Sequence, residues 1–233
     1  MTRLERLLIE KIDENNQKYQ LWTNSEPLVI AISGGKDSLS LYSLMKKIHN
    51  HLLPVHLRII NENLMHFTFK EETQIIETGI YSQAKEKSKK GNCCYNCSRL
   101  RRKALLEFAK SNQAHKILLA HTLNDTIETL LLNMLFSREI STLKSRQELF
   151  KGEYELIRPM YNIEDKLIKS YVKEKQFDIM VNLCPENNNS KRAYIRNLLT
   201  QIQSDHPHLN IYDNLFASIQ HIKKSFLPFK IED

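Results

Sequence analysis

A glycine pair between a strand and a helix constrains the fold of this chain more than any other feature of its sequence. The 233 residues include only five glycines, and two of them, Gly34 and Gly35, are adjacent. They follow the apolar, β-branched run 28–32 and precede a segment with leucines at helical spacing. Residues 33–38, which we call the glycine turn, are therefore predicted to join a buried strand to the first turn of a helix.

The rest of the chain continues this alternation of strand and helix. Further strands are predicted at 55–60, 74–78, 116–120 and 155–157. Helices are predicted at 98–111, 122–136, 165–177, 190–203 and 212–226. Strands that alternate with helices are typical of a parallel, doubly wound sheet, so we predict an α/β fold with a mainly parallel five-stranded sheet and C-terminal helices. Segment 61–73, between the second and third predicted strands, is close to the minimum length for a connection between parallel strands.

The chain is predicted to form one domain in three parts. Residues 1–25 give an N-terminal helix, 26–180 the α/β core and 181–233 a C-terminal helical extension. The longest aliphatic run, 28–32, has five residues, and charged residues crowd the first turns of the chain. Neither a membrane span nor a signal peptide fits these features, and a cytoplasmic protein is expected.

Positive charge is concentrated around one pair of cysteines. Segment 85–103 contains eight basic residues and one acidic residue, which equals the whole net charge of +7. Four of these basic residues precede Cys94 and four follow Cys97. A charge run is often only a solvated face, but positive potential around reactive thiols favours a polyanionic substrate.

The composition of the glycine turn suits phosphate binding. Two glycines let the backbone bring several N–H groups against phosphate oxygens, and the new helix adds the positive end of its dipole. Lys36 adds charge, and Ser33 and Ser38 add hydroxyls. Asp37 adds a carboxylate that suits Mg²⁺. The alternative is a plain turn in which Asp37 or Ser38 caps the helix.

The motifs resemble those of a known family. Ser-Gly-Gly-Lys-Asp-Ser resembles the PP-loop of the N-type ATP pyrophosphatases, which split ATP between its α and β phosphates and activate a substrate oxygen as an adenylate. The Cys94-Tyr-Asn-Cys97-Ser-Arg-Leu-Arg-Arg segment resembles the tRNA 2-thiocytidine synthetases more closely. Further matches in the same order are segments 120–125 and 129–134, Ile157-Arg158-Pro159, Asn182-Leu183-Cys184 and Arg192.

The cysteines gain meaning from this resemblance. By themselves they fit a zinc site, an iron–sulfur cluster or plain thiols, although zinc wants four ligands and the well-spaced thiols are only Cys94, Cys97 and Cys184. The resemblance implies that these three hold a [4Fe–4S] cluster with one open iron. Cys93 is poorly placed to share a metal with its immediate neighbour.

The resemblance also assigns roles to other residues. The ATP site is expected to comprise Ser33, Gly34, Gly35, Lys36, Asp37, Ser38 and His121. The catalytic groups are expected to be Asp37, Asp125 and Arg101. The groups that contact tRNA phosphates are expected to be Arg99, Arg102, Arg158 and Arg192. The sequence alone does not divide Arg101, Arg158 and Arg192 between ATP and tRNA, and it leaves a structural role open for His121 and Asp125.

The hypothesis that follows is ATP-dependent tRNA thiolation. ATP and Mg²⁺ would adenylate the C2 oxygen of a cytidine, position 32 by resemblance, and sulfur from the cluster would displace AMP. The expected partners are tRNA, a sulfur donor such as a cysteine desulfurase, and a second copy in a homodimer. The alternatives are thiolation of another tRNA nucleoside, a ligase of the lysidine synthetase type, and a non-enzymatic RNA-binding module that holds zinc.

Three departures from the family pattern bear on the substrate. Asn124 replaces the first residue of an Asp-Asp pair, which leaves Asp125 as the only carboxylate there. Residues 61–63 replace a Leu-Asp-Gln type sequence, and Val181 stands where a second cysteine often occurs.

Overall fold

The computed structural model describes residues 1–59, 72–88, 93–180, 184 and 190–227. The helices in these ranges are α1 (Arg3–Tyr19), α2 (Lys36–Met45), α3 (Ile80–Glu86), α4 (Cys93–Ser111), α5 (Leu123–Phe136), α6 (Asp165–Lys175), α7 (Lys191–Asp205) and α8 (Ile211–Gln220). The strands are β1 (Leu28–Ala31), β2 (Leu52–Arg58), β3 (Gln74–Glu77), β4 (Lys116–Leu118), β5 (Arg146–Leu149) and β6 (Tyr154–Ile157).

The strands form one sheet in the order β3-β2-β1-β4-β6-β5, and every pair except β5 with β6 is parallel. The predicted doubly wound α/β fold is confirmed, with six strands in place of the predicted five. The additional strand, β5, has the polar sequence Arg-Gln-Glu-Leu and lies partly exposed at the sheet edge. Because an edge strand needs no apolar run, it left no signal in the hydrophobic pattern.

The sheet is buried on both faces, as the continuous apolar run of β1 requires. Leu28 and Ile30 lie in a core with residues of α1, α2 and α6. Val29 lies in a second core with residues of α4. Successive strand side chains point to opposite faces, so one strand contributes to both cores.

The parallel strands end at the same edge of the sheet. The glycine turn follows β1, His121 follows β4, and Arg158 follows β6 directly. Since ligands of doubly wound sheets bind outside the carboxyl ends of the strands, this edge positions the candidate site.

The C-terminal helices cover α5. Leu123, Ile127 and Leu130 of α5 pack against Ile195 and Leu199 of α7, and α8 joins the same cluster. In the ranges given above, none of the helices has the length and apolarity needed to cross a membrane.

Several features named from the sequence lie outside the described residues. They are the short segment 61–71, the 181–183 stretch and Lys89 and Lys90 of the basic run.

Candidate functional site

The glycine turn is held by the hydroxyl of Ser38. The Ser33 N–H donates to Ser38 Oγ at 3.1 Å, and Ser38 Oγ donates to the Gly35 carbonyl at 2.9 Å. Gly34 has a φ of 79°, a left-handed conformation that favours glycine. Gly35 occupies the N-cap of α2, so the alternative in which Asp37 or Ser38 caps this helix is wrong.

Met180 lies directly against the glycine turn. Its N–H donates to the Gly34 carbonyl at 3.0 Å. A Cβ placed on Gly34 would come within 2.7 Å of the Met180 Cβ. Both the close approach of Met180 and the left-handed φ therefore require a residue without a side chain at position 34. Met180, four residues before Cys184, is attached to the turn.

Lys36 is partly exposed and is ion-paired with two carboxylates of the protein. Its Nζ lies 2.6 Å from Asp37 Oδ1 and also contacts Asp165, which in turn binds Lys169 at 2.9 Å. Burial raises the pKa of the Asp37 carboxyl, although Lys36 opposes this. Burial would also raise the pKa of Asp165, but its bonds to Lys36 and Lys169 outweigh burial and lower it. The positive charge of Lys36, the predicted phosphate-binding lysine, is thus already paired with carboxylates before any phosphate binds.

Asp125 and Asn124 fix the starts of two helices. The Thr122 N–H donates to Asp125 Oδ2 at 3.0 Å in a capping box, and Arg192 Nη1 lies 3.7 Å from Asp125 Oδ1. Asn124 Oδ1 accepts a hydrogen bond from the Asp165 N–H at 3.1 Å. The amide that replaces the family's first aspartate therefore caps α6.

His121 lies between the carboxylates and the arginines. Its pKa is lowered to about 4, mainly by burial; Asp125 opposes the shift, and the charges of Arg158, Arg192 and Arg101 add to it. Its Nδ1 is buried without a hydrogen-bond partner in the described part of the chain. His121 is therefore a neutral imidazole at pH 7.

Helix α4 begins at Cys93, five residues before its predicted start, so Cys94 and Cys97 lie in its first two turns. Cys93 and Cys94 precede Cys97 by four and three residues, which places them on its side of the helix. Burial raises the pKa of the Cys97 thiol, Arg101 opposes this, and the thiols of Cys184, Cys93 and Cys94 raise it further. The three predicted cluster cysteines thus share one neighbourhood, and Cys93 belongs to it as well.

The arginines predicted to bind phosphate differ in exposure. Arg99, Arg101 and Arg102 are exposed along α4. Arg192 donates to Thr129 Oγ1 at 3.0 Å and already has an acidic partner in Asp125. Arg158 is only 2% exposed, and its role as a phosphate ligand stays a prediction.

The structure brings most of the predicted residues to one edge. The charge of Asp125 contributes to the raised pKa of Asp37, and the charge of Arg101 lowers the pKa of both Cys97 and His121. Among the described residues, no three His, Cys, Asp or Glu side chains stand ready to hold a single metal ion. Sequence reasoning missed Asp165 and Met180, because neither belongs to a motif.

Comparison with known proteins identifies the family. A PP-loop domain model matches residues 6–203. The chain is 30% identical to the tRNA-cytidine(32) 2-sulfurtransferase of Ralstonia pickettii, over 97% of this chain and 76% of that protein. The enzyme of the same name from Shewanella denitrificans is also 30% identical, over 97% of this chain and 74% of its own length. The chain belongs to the PP-loop family of tRNA sulfurtransferases.

A solved structure shows the same fold. The U34-tRNA thiolase of Methanococcus maripaludis, described with its [4Fe-4S] cluster, superposes with a TM-score of 0.66 at 17% identity, covering 94% of this chain and 81% of that one. The predicted resemblance and the predicted enzyme class, an ATP-dependent tRNA sulfurtransferase, are confirmed by the family. The roles of individual residues remain predictions.

Proposed function

We propose that this enzyme thiolates a cytidine of tRNA, at position 32, by adenylating the C2 oxygen with ATP and then replacing that oxygen with sulfur. The observation that carries the proposal is one short stretch of chain that links the two halves of the reaction. Met180 is hydrogen-bonded to Gly34. The thiol of Cys184, four residues later, is near enough to Cys97 to raise the pKa of its thiol. Four residues span at most about 14 Å, so the glycine turn and the thiols are neighbours.

The glycine turn is proposed to hold the phosphates of ATP. The first N–H groups of α2 and the dipole of that helix face this position. Lys36 would exchange its bond to Asp165 for one to a phosphate oxygen, since both ligands present negatively charged oxygen acceptors. The C2 oxygen then attacks the α-phosphorus, pyrophosphate leaves, and AMP is the later leaving group.

Asp37 and Asp125 are proposed to bind Mg²⁺ together with the phosphates of ATP. Mg²⁺ is usually held by one or two carboxylates plus substrate oxygens, so a preformed cage of three protein ligands is not needed. The two carboxylates are close enough for Asp125 to raise the pKa of Asp37, a repulsion that a bound cation would relieve.

Cys94, Cys97 and Cys184 are proposed to hold a [4Fe–4S] cluster. The donor chemistry fits, because all three are sulfur ligands, the thiols of Cys94 and Cys184 both lie within electrostatic range of Cys97, and Arg101 opposes the raised pKa of the Cys97 thiol. When bound, such a cluster supplies an iron that is open to a sulfur atom. Arg101, beside Cys97, would stabilise negative charge between the thiols and the adenylate.

The proposal is tested by nucleoside analysis of a defined tRNA. Protein with reconstituted iron and sulfide is incubated anaerobically with unmodified tRNA, ATP and Mg²⁺, and the digested tRNA is analysed by mass spectrometry. We expect 2-thiocytidine at position 32 and none in a transcript with uridine at that position. A thiolated uridine or an amino-acid adduct of cytidine would replace the proposal with one of the alternatives.

A further inference from the structure

A cavity of about 640 Å³ lies beside the thiol-bearing helix at the sheet edge. We call it the basic cavity. Its lining residues are Arg102, Thr142, Leu143, Lys144, Arg146, Gln147, Glu148 and Arg158. Arg102 comes from α4, Arg146 begins β5, and Arg158 follows β6, so the cavity is formed where distant segments meet.

Arg158 lines the basic cavity as its most buried residue, and no acidic side chain of the described residues is paired with it. It is 2% exposed, and its guanidinium donates through Nη1 to the Lys144 carbonyl at 2.8 Å and through Nη2 to Gln147 Oε1 at 3.0 Å. Its Nε is buried and has no hydrogen-bond partner within the described ranges. A buried charge is costly unless an opposite charge approaches it.

The remaining charges in the basic cavity favour an anion. Of the described residues that line it, four are basic and one, Glu148, is acidic. Arg146 is neutralised by Glu155, which accepts from Arg146 Nε at 3.0 Å. Arg102 and Lys144 are exposed at the rim. Burial, assisted by the nearby charge of Arg102, lowers the pKa of Arg158 to about 10, so Arg158 remains charged at neutral pH while facing like charge.

We propose that the basic cavity binds a backbone phosphate of the tRNA substrate through the buried Arg158 and through Arg102 and Lys144 at its rim. The inference rests on the proposed function for the identity of the RNA. Arginine forks match phosphate oxygens, and these contacts position nucleic acid without reading its sequence.

The position of the basic cavity favours RNA over the phosphates of ATP. Strand β4 lies between β1, which carries the glycine turn, and β6, which leads to Arg158. This order separates the two sites by about 10 Å across the sheet. Arg102 lies five residues after Cys97 on α4, about 7.5 Å along the helix axis, so a phosphate held there is near the thiols.

The test uses two surface substitutions, because removal of the buried Arg158 risks unfolding the sheet edge. The Arg102→Gln/Lys144→Gln variant removes two positive charges from the rim. The matched control is Lys110→Gln/Lys173→Gln, which removes two positive charges from exposed positions elsewhere. Binding of unmodified tRNA is measured without ATP at several salt concentrations, and binding of ATP and of inorganic pyrophosphate is measured in parallel.

The rim variant is expected to bind tRNA on the order of tenfold more weakly, and its log–log salt slope should fall by about one to two. Its binding of ATP and pyrophosphate should equal that of the control. Unchanged tRNA affinity and slope would overturn the proposal, and so would a loss confined to ATP or pyrophosphate. If the wild type binds tRNA through this cavity but forms no thiocytidine, the proposed function fails and the cavity assignment stands.

Discussion

The glycine turn and the basic cavity lie at the same sheet edge but balance their charges differently. At the glycine turn, Lys36 is paired with Asp37 and Asp165, and Met180 covers Gly34. In the basic cavity, Arg158 meets only a carbonyl and an amide oxygen among its hydrogen-bond acceptors in the described residues. The positive charge at the glycine turn is neutralised by carboxylates of the protein, whereas the positive charge of Arg158 is available to an external anion.

This difference indicates how the two regions respond to substrates. An ATP phosphate that binds Lys36 must displace Asp37 or Asp165 from it. A tRNA phosphate entering the basic cavity displaces no ion pair of Arg158. Substitutions at the turn should therefore affect chemistry, whereas substitutions around α4 should affect RNA and metal binding.

The largest expected effect is on iron content, which should depend on the thiols and not on the glycine turn. Alanine at Cys94, Cys97 or Cys184 should reduce the iron content after anaerobic reconstitution from about four per chain to near zero, because each substitution removes a ligand. Cys93→Ala is the matched control and should keep its iron. Full iron in Cys184→Ala would contradict the ligand set. Loss of iron in Cys93→Ala would instead show that its place near Cys97 is functional.

The next effect concerns Lys36. Lys36→Ala should lower the rate of pyrophosphate release by about 10² to 10³, because a positioned cation is lost from the ATP phosphates. Its tRNA affinity should not change, since the basic cavity is intact. Lys169→Ala is a suitable control, because Lys169 also binds Asp165 but lies outside the turn. Equal losses in both variants would mean that Lys36 only neutralises Asp165.

Gly34→Ala tests the close approach of Met180. The left-handed φ should cost about 1–2 kcal/mol in the free energy of unfolding, and the contact with Met180 should add to it. Chemical denaturation measures the change. Gly35→Ala is the control, because Gly35 has an extended φ of −78° and its Cβ would meet only Ser33 Oγ at 3.4 Å. Adding Met180→Gly, which removes the Met180 Cβ, should recover the contact contribution when the double variant is compared with Met180→Gly alone, and leave the φ contribution.

The last prediction is a pH dependence from His121, which follows the strand between the two regions. Its pKa of about 4 is below the ordinary value of 6.5, so the unfolded chain binds more protons between these values. This contribution to stability is fully present above pH 6.5 and is lost as pH falls toward 4. The free energy of unfolding of wild type relative to that of His121→Asn should be constant above pH 6.5 and fall as the pH drops from 6.5 toward 4. A constant difference from pH 4 to 7 would contradict the lowered pKa.

The sequence predicted the local features of this molecule better than the assembled ones. The glycine turn was recognisable because Gly34, Gly35 and Lys36 are consecutive and follow a buried strand. Strand β5 was missed because its partly exposed edge position requires no apolar pattern. The basic cavity depends on residues from α4, β5 and the end of β6, and only the tertiary pairing of β5 with β6 brings them together.

Single residues illustrate the same limit. Asn124 looked like the loss of a carboxylate, yet its side chain caps α6 through the Asp165 N–H. Met180 carries no reactive group, so no motif pointed to its contact with Gly34. Arg158 was predicted as a phosphate ligand, but its burial and its unpartnered Nε appear only in the fold.

A single-turnover assay of the Cys97→Ser variant tests most directly whether the glycine turn and the thiols perform separate steps. The variant is mixed with ATP, Mg²⁺ and unmodified tRNA, and both pyrophosphate and 2-thiocytidine are quantified over time. The account predicts a tRNA-dependent burst of pyrophosphate close to the wild-type amplitude, with no 2-thiocytidine. Loss of the pyrophosphate burst in a folded variant that still binds ATP and tRNA would contradict it.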